Sequence, residues 1–313
     1  MKRVIVTGAN GFVGSNIVST LIDQGWFVYA VDLGFDNPAV ETWNNQQIEL
    51  IASTCIDLPA LSANALIHGA FITASPEARN ESPESNIRAN LDPMLAMMEY
   101  ADQQKIGRSI FLSSSGVYRT MPDELINEDR PQNPLGVYAV AKTMMEHLVE
   151  TMRTVYQRDM VCVRLGNIYG QNEYQRDSRP FLSVIGQMIH MATTAGIIEV
   201  DRPTEIREWT YASDIGNAIH SLLQAETLNH ALYHVASTER TSNLSIAYLI
   251  QSLVESAEVR VTSANPSKPK LTRLGTLDNT RLAQDTGFNQ WTPLSKGLLS
   301  PILVNTLRGK ADA

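Results

Sequence analysis

The sequence predicts an α/β fold built on a doubly wound parallel sheet. Three observations carry this. A β-branched run, Val4-Ile5-Val6, leads into glycines at every third residue, Gly8, Gly11 and Gly14, and then into apolar residues at helical spacing, Ile17, Val18, Leu21 and Ile22. Strand-like and helix-like runs then alternate, which implies parallel strands joined by crossover helices. A carboxylate, Asp32, closes the second strand run.

The totals agree with an enzyme-sized globular chain. It has 313 residues, 43% hydrophobic and 19% charged, with a net charge of -8. That balance supports a sizeable core and gives no electrostatic case for nucleic acid or an anionic membrane. Cys55 and Cys162 each sit in an apolar run and read as buried thiols. No Cys/His spacing suggests a metal site. The chain enters a strand directly and has no apolar run approaching 18 residues, so a cytoplasmic location is expected.

Taken in order, Gly25 ends the first helix and Trp26–Asp32 is the second strand. Ile48–Ala52 and Ala65–Ala70 are the third and fourth, and a helix covers Asn90–Gln104. Ser109–Ser113 is the fifth strand. Residues 119–135, rich in Pro, Asn, Asp and Glu, read as a functional loop. A helix follows over Val137–Val155, then a strand over Met160–Leu165. The polar stretch Gln171–Arg179 reads as mobile without a ligand. Beyond it come a helix (Phe181–Thr193), a strand (Ile197–Val200), a helix over Asp214–Gln224 with Asp214 placed for its N-terminus, a strand (Tyr233–Ala236) and a helix (Ile246–Val254). Lys310–Ala313 is expected to fray.

The opening stretch carries the first functional expectation. A strand, a glycine turn and a helix let backbone N–H groups and a helix N-terminus face a pyrophosphate. The turn Gly8-Ala9-Asn10-Gly11-Phe12-Val13-Gly14 thus reads as a dinucleotide cradle. Asp32 can accept hydrogen bonds from both adenosine ribose hydroxyls and would repel a 2′-phosphate. Leu33 and Gly34 follow it with no adjacent Arg, which favours NAD over NADP.

A second set of residues carries chemistry. Tyr138 and Lys142 are four apart and share a helix face. A phenol of pKa about 10 is a poor base at neutral pH. A neighbouring ammonium favours its ionised form. Ser113-Ser114-Ser115-Gly116 follows the fifth strand, at the sheet end where ligands bind, and a Ser there can hold a substrate oxygen.

With these residues in view, the chain resembles the extended short-chain dehydrogenase/reductase family (the NAD-dependent epimerase/dehydratase family) over almost its whole length. The resemblance rests on Thr7-Gly8-x-x-Gly11-x-x-Gly14, Ser113-Ser114-Ser115-Gly116-Val117-Tyr118, Tyr138-x-x-x-Lys142, Arg164-Leu165-Gly166-Asn167-Ile168-Tyr169-Gly170 and Arg207-Glu208-Trp209-Thr210-Tyr211-Ala212-Ser213-Asp214. It implies that Ser114, Tyr138 and Lys142 are catalytic. It also implies that Asp57 and Leu58 lie by the adenine, that Ala70 lines the cofactor, and that Asn90 holds a structural and proton-relay position. Asn167 and Arg207 would reach the diphosphate of a nucleotide sugar, a task that suits an Arg fork. A homodimer pairing Asn90–Gln104 and Val137–Val155 as a four-helix bundle is implied as well. The implied fold is a Rossmann-type NAD-binding domain of 1–166 plus 207–236, with a smaller substrate-binding lobe of 167–206 plus 237–313.

Departures from the family pattern sharpen the expectation. Family dehydratases place an Asp-Glu pair after the catalytic Thr, where this chain has Ser115-Gly116, and this argues against dehydratase activity. Arg119, Gln171 and Asp201-Arg202-Pro203 replace family residues on the substrate side. The expected function is an NAD-dependent sugar oxidoreductase or epimerase acting on a nucleotide sugar through a transient ketone. The alternative is a dehydrogenase of a smaller alcohol, such as a sugar acid or lactone. A non-catalytic NAD sensor comes third, because it would have no need of Ser114, Tyr138 and Lys142.

Overall fold

The structure, a computed structural model, describes residues 1–43, 46–119, 124–262 and 275–300. The expected frayed end at Lys310–Ala313 lies outside them. Seven parallel strands form the central sheet: β1 (Arg3–Thr7), β2 (Phe27–Asp32), β3 (Ile48–Ala52), β4 (Ala65–His68), β5 (Arg108–Ser114), β6 (Met160–Leu165) and β7 (Leu232–Val235). Their order across the sheet is 7-6-5-4-1-2-3. The order reverses between β1 and β4, so a crevice opens at the carboxyl ends of those two strands. Every residue of β4 and β6 is buried, as expected for strands covered by helices on both faces.

Helix α1 (Phe12–Asp23) follows the glycine turn and buries Ile17, Val18 and Leu21 against the sheet. Each such side chain contributes about 1.5–3 kcal/mol by leaving water. Gly25 ends the helix in the left-handed region, at φ +79°. Helix α2 (Pro83–Gln103) starts seven residues before the expected Asn90. The Ser82 side chain accepts from the Ser85 amide, and Pro83 occupies the first turn, where a missing N–H costs nothing. The apolar pattern begins later than the cap, so periodicity alone reads the helix short. Helix α3 (Val137–Thr154) matches expectation to within one residue.

A second apolar cluster stands apart from the sheet. It gathers Tyr169, Ile185, Met188, Ile198, Trp209, Ile246 and Ile250 from α4 (Val184–Thr194), α6 (Asn243–Leu253) and the segments between. Between these two helices in sequence, α5 (Ala212–Gln224) packs closely on α1, where a side chain at Gly216 would collide with Thr20. Helix α5 starts at Ala212, two residues before the expected position, and Asp214 lies in its first turn as expected. Its carboxylate also accepts from the amide (2.6 Å) and hydroxyl (2.8 Å) of Thr292. Within 119–135, which reads as irregular, Leu125–Ile126 pairs in parallel with Thr276–Leu277. Both cysteines are buried and free. Among the described residues, no helix is long and apolar enough to cross a membrane.

Candidate active site

The glycine turn is built so that no side chain fits inside it. Gly8 has φ +70°, and a Cβ there would lie 2.6 Å from the Gly69 backbone. A Cβ on Gly14 would collide with the Gly8 carbonyl. The result is an open backbone cradle at the N-terminus of α1. Asp32 stands beside it at the end of β2. Its carboxylate accepts from the Asn10 amide (2.9 Å) and the Leu33 amide (2.8 Å). Burial pushes the Asp32 carboxyl up, while those amides and the charge of Arg176 oppose the shift. The Asn10 side chain is buried and bonds Asp36 and the Asn37 amide. The cradle and the ribose-side carboxylate together fit a dinucleotide.

The second group of expected residues meets at the carboxyl end of β5. A Cβ placed on Gly116 would lie 3.2 Å from Ser114 Oγ and 3.4 Å from Tyr138 Cε1, so the serine oxygen and the tyrosine ring both border Gly116. Ser114 Oγ accepts from the Gly116 amide at 3.0 Å. Lys142 lies on the same face of α3, with Nζ 5.8 Å from the Tyr138 ring centroid. Ser114 pairs with Leu165 across β5 and β6, which brings Asn167, two residues on, to the same end of the sheet.

Several expected residues are engaged differently. Lys142 is buried: Nζ donates to the Leu112 carbonyl at 2.5 Å and sits 3.4 Å from the Phe71 ring centroid. Burial pulls its ammonium down to about 7. Asn90 is fully buried, its carbonyl accepting from the Ile72 amide at 2.7 Å and its amide donating to Asn86 O at 3.2 Å. Its side chain holds the loop after β4. Ala70 in that loop is half-buried. Asp57 accepts from the Thr54 hydroxyl at 2.7 Å, and Leu58 packs at the edge of the apolar cluster on that face. Arg207 bonds Glu205 through Nε at 2.7 Å, so its guanidinium already carries a carboxylate. A cleft of about 610 Å³ is lined by Glu128, Gln132, His147 and Arg281 among others and includes none of Ser114, Tyr138 and Lys142.

The stretch after Gly170 makes contacts with the loops that follow β2 and β4. Ser178 O accepts from the amides of Thr73 and Ala74. Arg176 pairs with Asp36 at 2.9 Å. Glu208, next to Arg207, is fully buried and accepts from the amides of Leu277 and Asn167; burial pushes its carboxyl up to about 8. Sequence reasoning did not find Phe71, Arg176, Glu205 or Glu208, because each acts through a partner brought in by the fold.

Comparison with known proteins fits this geometry. The profile of the NAD dependent epimerase/dehydratase family matches residues 4–236. The chain belongs to this family. NAD is accordingly its cofactor. It is 23% identical over 318 residues to a dTDP-glucose 4,6-dehydratase of Streptomyces niveus, covering 96% of this chain and 91% of that protein. It is 22% identical over 310 residues to a UDP-glucose 4-epimerase of Mycolicibacterium smegmatis, covering 96% and 97%. A dTDP-glucose 4,6-dehydratase from Streptomyces venezuelae, solved with NAD bound, shares the fold with a TM-score of 0.80 at 17% identity, covering 98% of this chain and 97% of that one. These relatives overturn the exclusion of dehydration drawn from Ser115-Gly116. Eliminating water needs an acid and a base within reach of the sugar, and two sequence positions do not decide which side chains reach it.

Proposed function

We propose that this chain oxidises a ring hydroxyl of a nucleotide sugar to a transient ketone, as the opening step of an epimerisation or a dehydration. The observation that carries this reading is the meeting of Ser114 Oγ and the Tyr138 ring beside Gly116, with Lys142 on the same helix face. Tyr138 takes the hydroxyl proton, Ser114 holds the oxygen, and the charge of Lys142 favours the phenolate. NAD, when bound, supplies the acceptor for the hydride. The Gly8–Gly14 cradle and Asp32 hold the dinucleotide, with Phe12, Val13 and Leu33 flanking it. Asn167 and Arg207 take the substrate diphosphate, and Arg207 exchanges Glu205 for phosphate when it does so.

A ketone acidifies the neighbouring C–H, so both an inverted hydroxyl and a lost water are reachable from it. The relatives named for 4-epimerisation and for 4,6-dehydration support this common first step. The test is incubation of the purified chain with NAD and a panel of UDP- and dTDP-sugars, with products followed by NMR. An inverted carbinol signal identifies an epimerase, and a deoxy methyl signal beside a ketone identifies a dehydratase. No turnover of any nucleotide sugar would sink the reading. The active unit is a homodimer through α2 and α3.

A further inference from the structure

We propose that residues 171–180 form a strap across the dinucleotide cleft, and that the Arg176–Asp36 pair is the latch that sets how fast NAD exchanges. The sheet order places β2, β1 and β4 side by side. Asp36 after β2, the glycine turn after β1 and Thr73–Ala74 after β4 therefore stand in a row along the crevice. The strap touches all three. On the β2 side, Arg176 pairs with Asp36 at 2.9 Å. Over the turn, Arg179 lies 4.7 Å above the Phe12 ring, and Asn16 Nδ2 donates to Gln171 O at 3.0 Å. On the β4 side, Ser178 O accepts from the Thr73 amide (2.9 Å), the Ala74 amide (3.1 Å) and the Thr73 hydroxyl (3.0 Å).

The contacts differ in strength along the strap. The Ser178 carbonyl takes three donors, whereas Asp36 is largely exposed, with 80% of its side chain in water. The β2 end is thus the weak one, where the strap opens first. Arg176 and Arg179 close a tight turn through reciprocal backbone bonds at 2.9 Å, so the turn moves as a unit. The inference rests on the cofactor reading above and adds what the strap does: it keeps one NAD in place between oxidation of the sugar and the completion of the reaction.

The test uses the full chain. NADH bound to the protein is chased with excess NAD, and its fluorescence loss gives the release rate. Arg176→Ala and Asp36→Ala are each expected to speed release about two- to fivefold at low salt, the range for one exposed ion pair. The double variant is expected to release no faster than Asp36→Ala, which already loses the Arg176 pair together with the bond from Asn10 Nδ2 at 2.7 Å. Salt at 0.5 M, a condition on the order of several times physiological, should speed the wild type and leave Arg176→Ala nearly unchanged. Equal rates in wild type and Arg176→Ala, or single effects that add in the double variant, would overturn the latch. Failure of the wild type to bind NADH would instead overturn the cofactor reading, and the strap with it.

Discussion

Lys142 Nζ lies 3.4 Å from the centroid of the Phe71 ring, and the same ring meets Tyr138 edge-on at 5.6 Å. Phe71 thus touches both the proposed base and the ammonium proposed to favour its ionised form. Asn90 fixes the Ile72 backbone beside it, which sets where the ring stands. Burial draws the Lys142 ammonium down to about 7, with Cys162 and Glu146 opposing that shift and buried His68 nearby. Near neutral pH the charge on Lys142 is therefore sensitive to any contact that favours it.

Phe71→Leu removes the ring face and keeps an apolar cover. A cation–π contact at a desolvated site is worth up to about 2 kcal/mol, and its loss lets Lys142 shed its proton more easily. The expected outcome is a lower kcat/KM, with the alkaline limb of the pH profile, where the Lys142 charge is lost, moved down by about one unit. Phe71→Tyr, which keeps the ring, should restore the profile. An unchanged limb in Phe71→Leu would count against any role for the ring.

Tyr138→Phe tests the proposed base more directly. The phenol oxygen goes while the ring beside Ser114 stays. Turnover is expected to fall about 10²- to 10⁴-fold, the usual contribution of a positioned acid–base group. NAD affinity, read by calorimetry, should change little. A large loss of affinity with turnover retained would contradict the assignment.

Local chemistry made part of this site legible in the sequence. Gly8, Gly11 and Gly14 announce the cradle because the turn needs them regardless of what lies elsewhere. Tyr138 and Lys142 announce themselves through helical spacing, and α3 is long and periodic enough to be read. Other features depend on partners far along the chain. Arg176 reaches Asp36 from another loop, so the residues next to Asp32 in sequence carry no sign of it. Phe71 looks like one more apolar residue after β4 until α3 lays Lys142 over it. Asp214 sits in the first turn of α5 as its place in the sequence suggests, but its bonds to Thr292 come from far along the chain. Ser82 caps α2 well ahead of the apolar pattern that reveals it.

Glu208 should make stability pH-dependent. Its folded carboxyl is raised to about 8 from an ordinary 4.5. Between those values the folded chain keeps a proton that the unfolded chain has released. Unfolding free energy therefore falls as pH rises through the window, and the stability is fully present only below the unfolded value. Glu208→Gln supplies a neutral group of similar shape and should flatten the slope. Urea unfolding at pH 5 and pH 8 checks it: the wild type loses stability at the higher pH and the variant loses much less. Because Glu208 also accepts from the Asn167 amide, the variant reports on the substrate side of the site as well.

The proposed dimer makes the last prediction. Helices α2 and α3 pack together, yet Leu95 on α2 is 47% exposed, and Val140 and Met144 on α3 are 37% and 42% exposed. Val140 and Met144 are one helical turn apart, so they share a face turned away from buried Ala141 and Met145. An apolar strip of this kind on two adjacent helices suits a second copy of the same strip, since a two-fold interface is self-complementary. Leu95→Glu and Met144→Glu each place a charge where the partner's apolar strip would lie. Both positions are exposed in the monomer, so folding should be preserved, with thermal midpoints measured well below the dimer concentration close to wild type. Sedimentation velocity is expected to show a dimer for the wild type and a shift to monomer in each variant. A wild type that sediments as a monomer at micromolar concentration would remove the dimer altogether. Variants that stay dimeric would move the interface off this face.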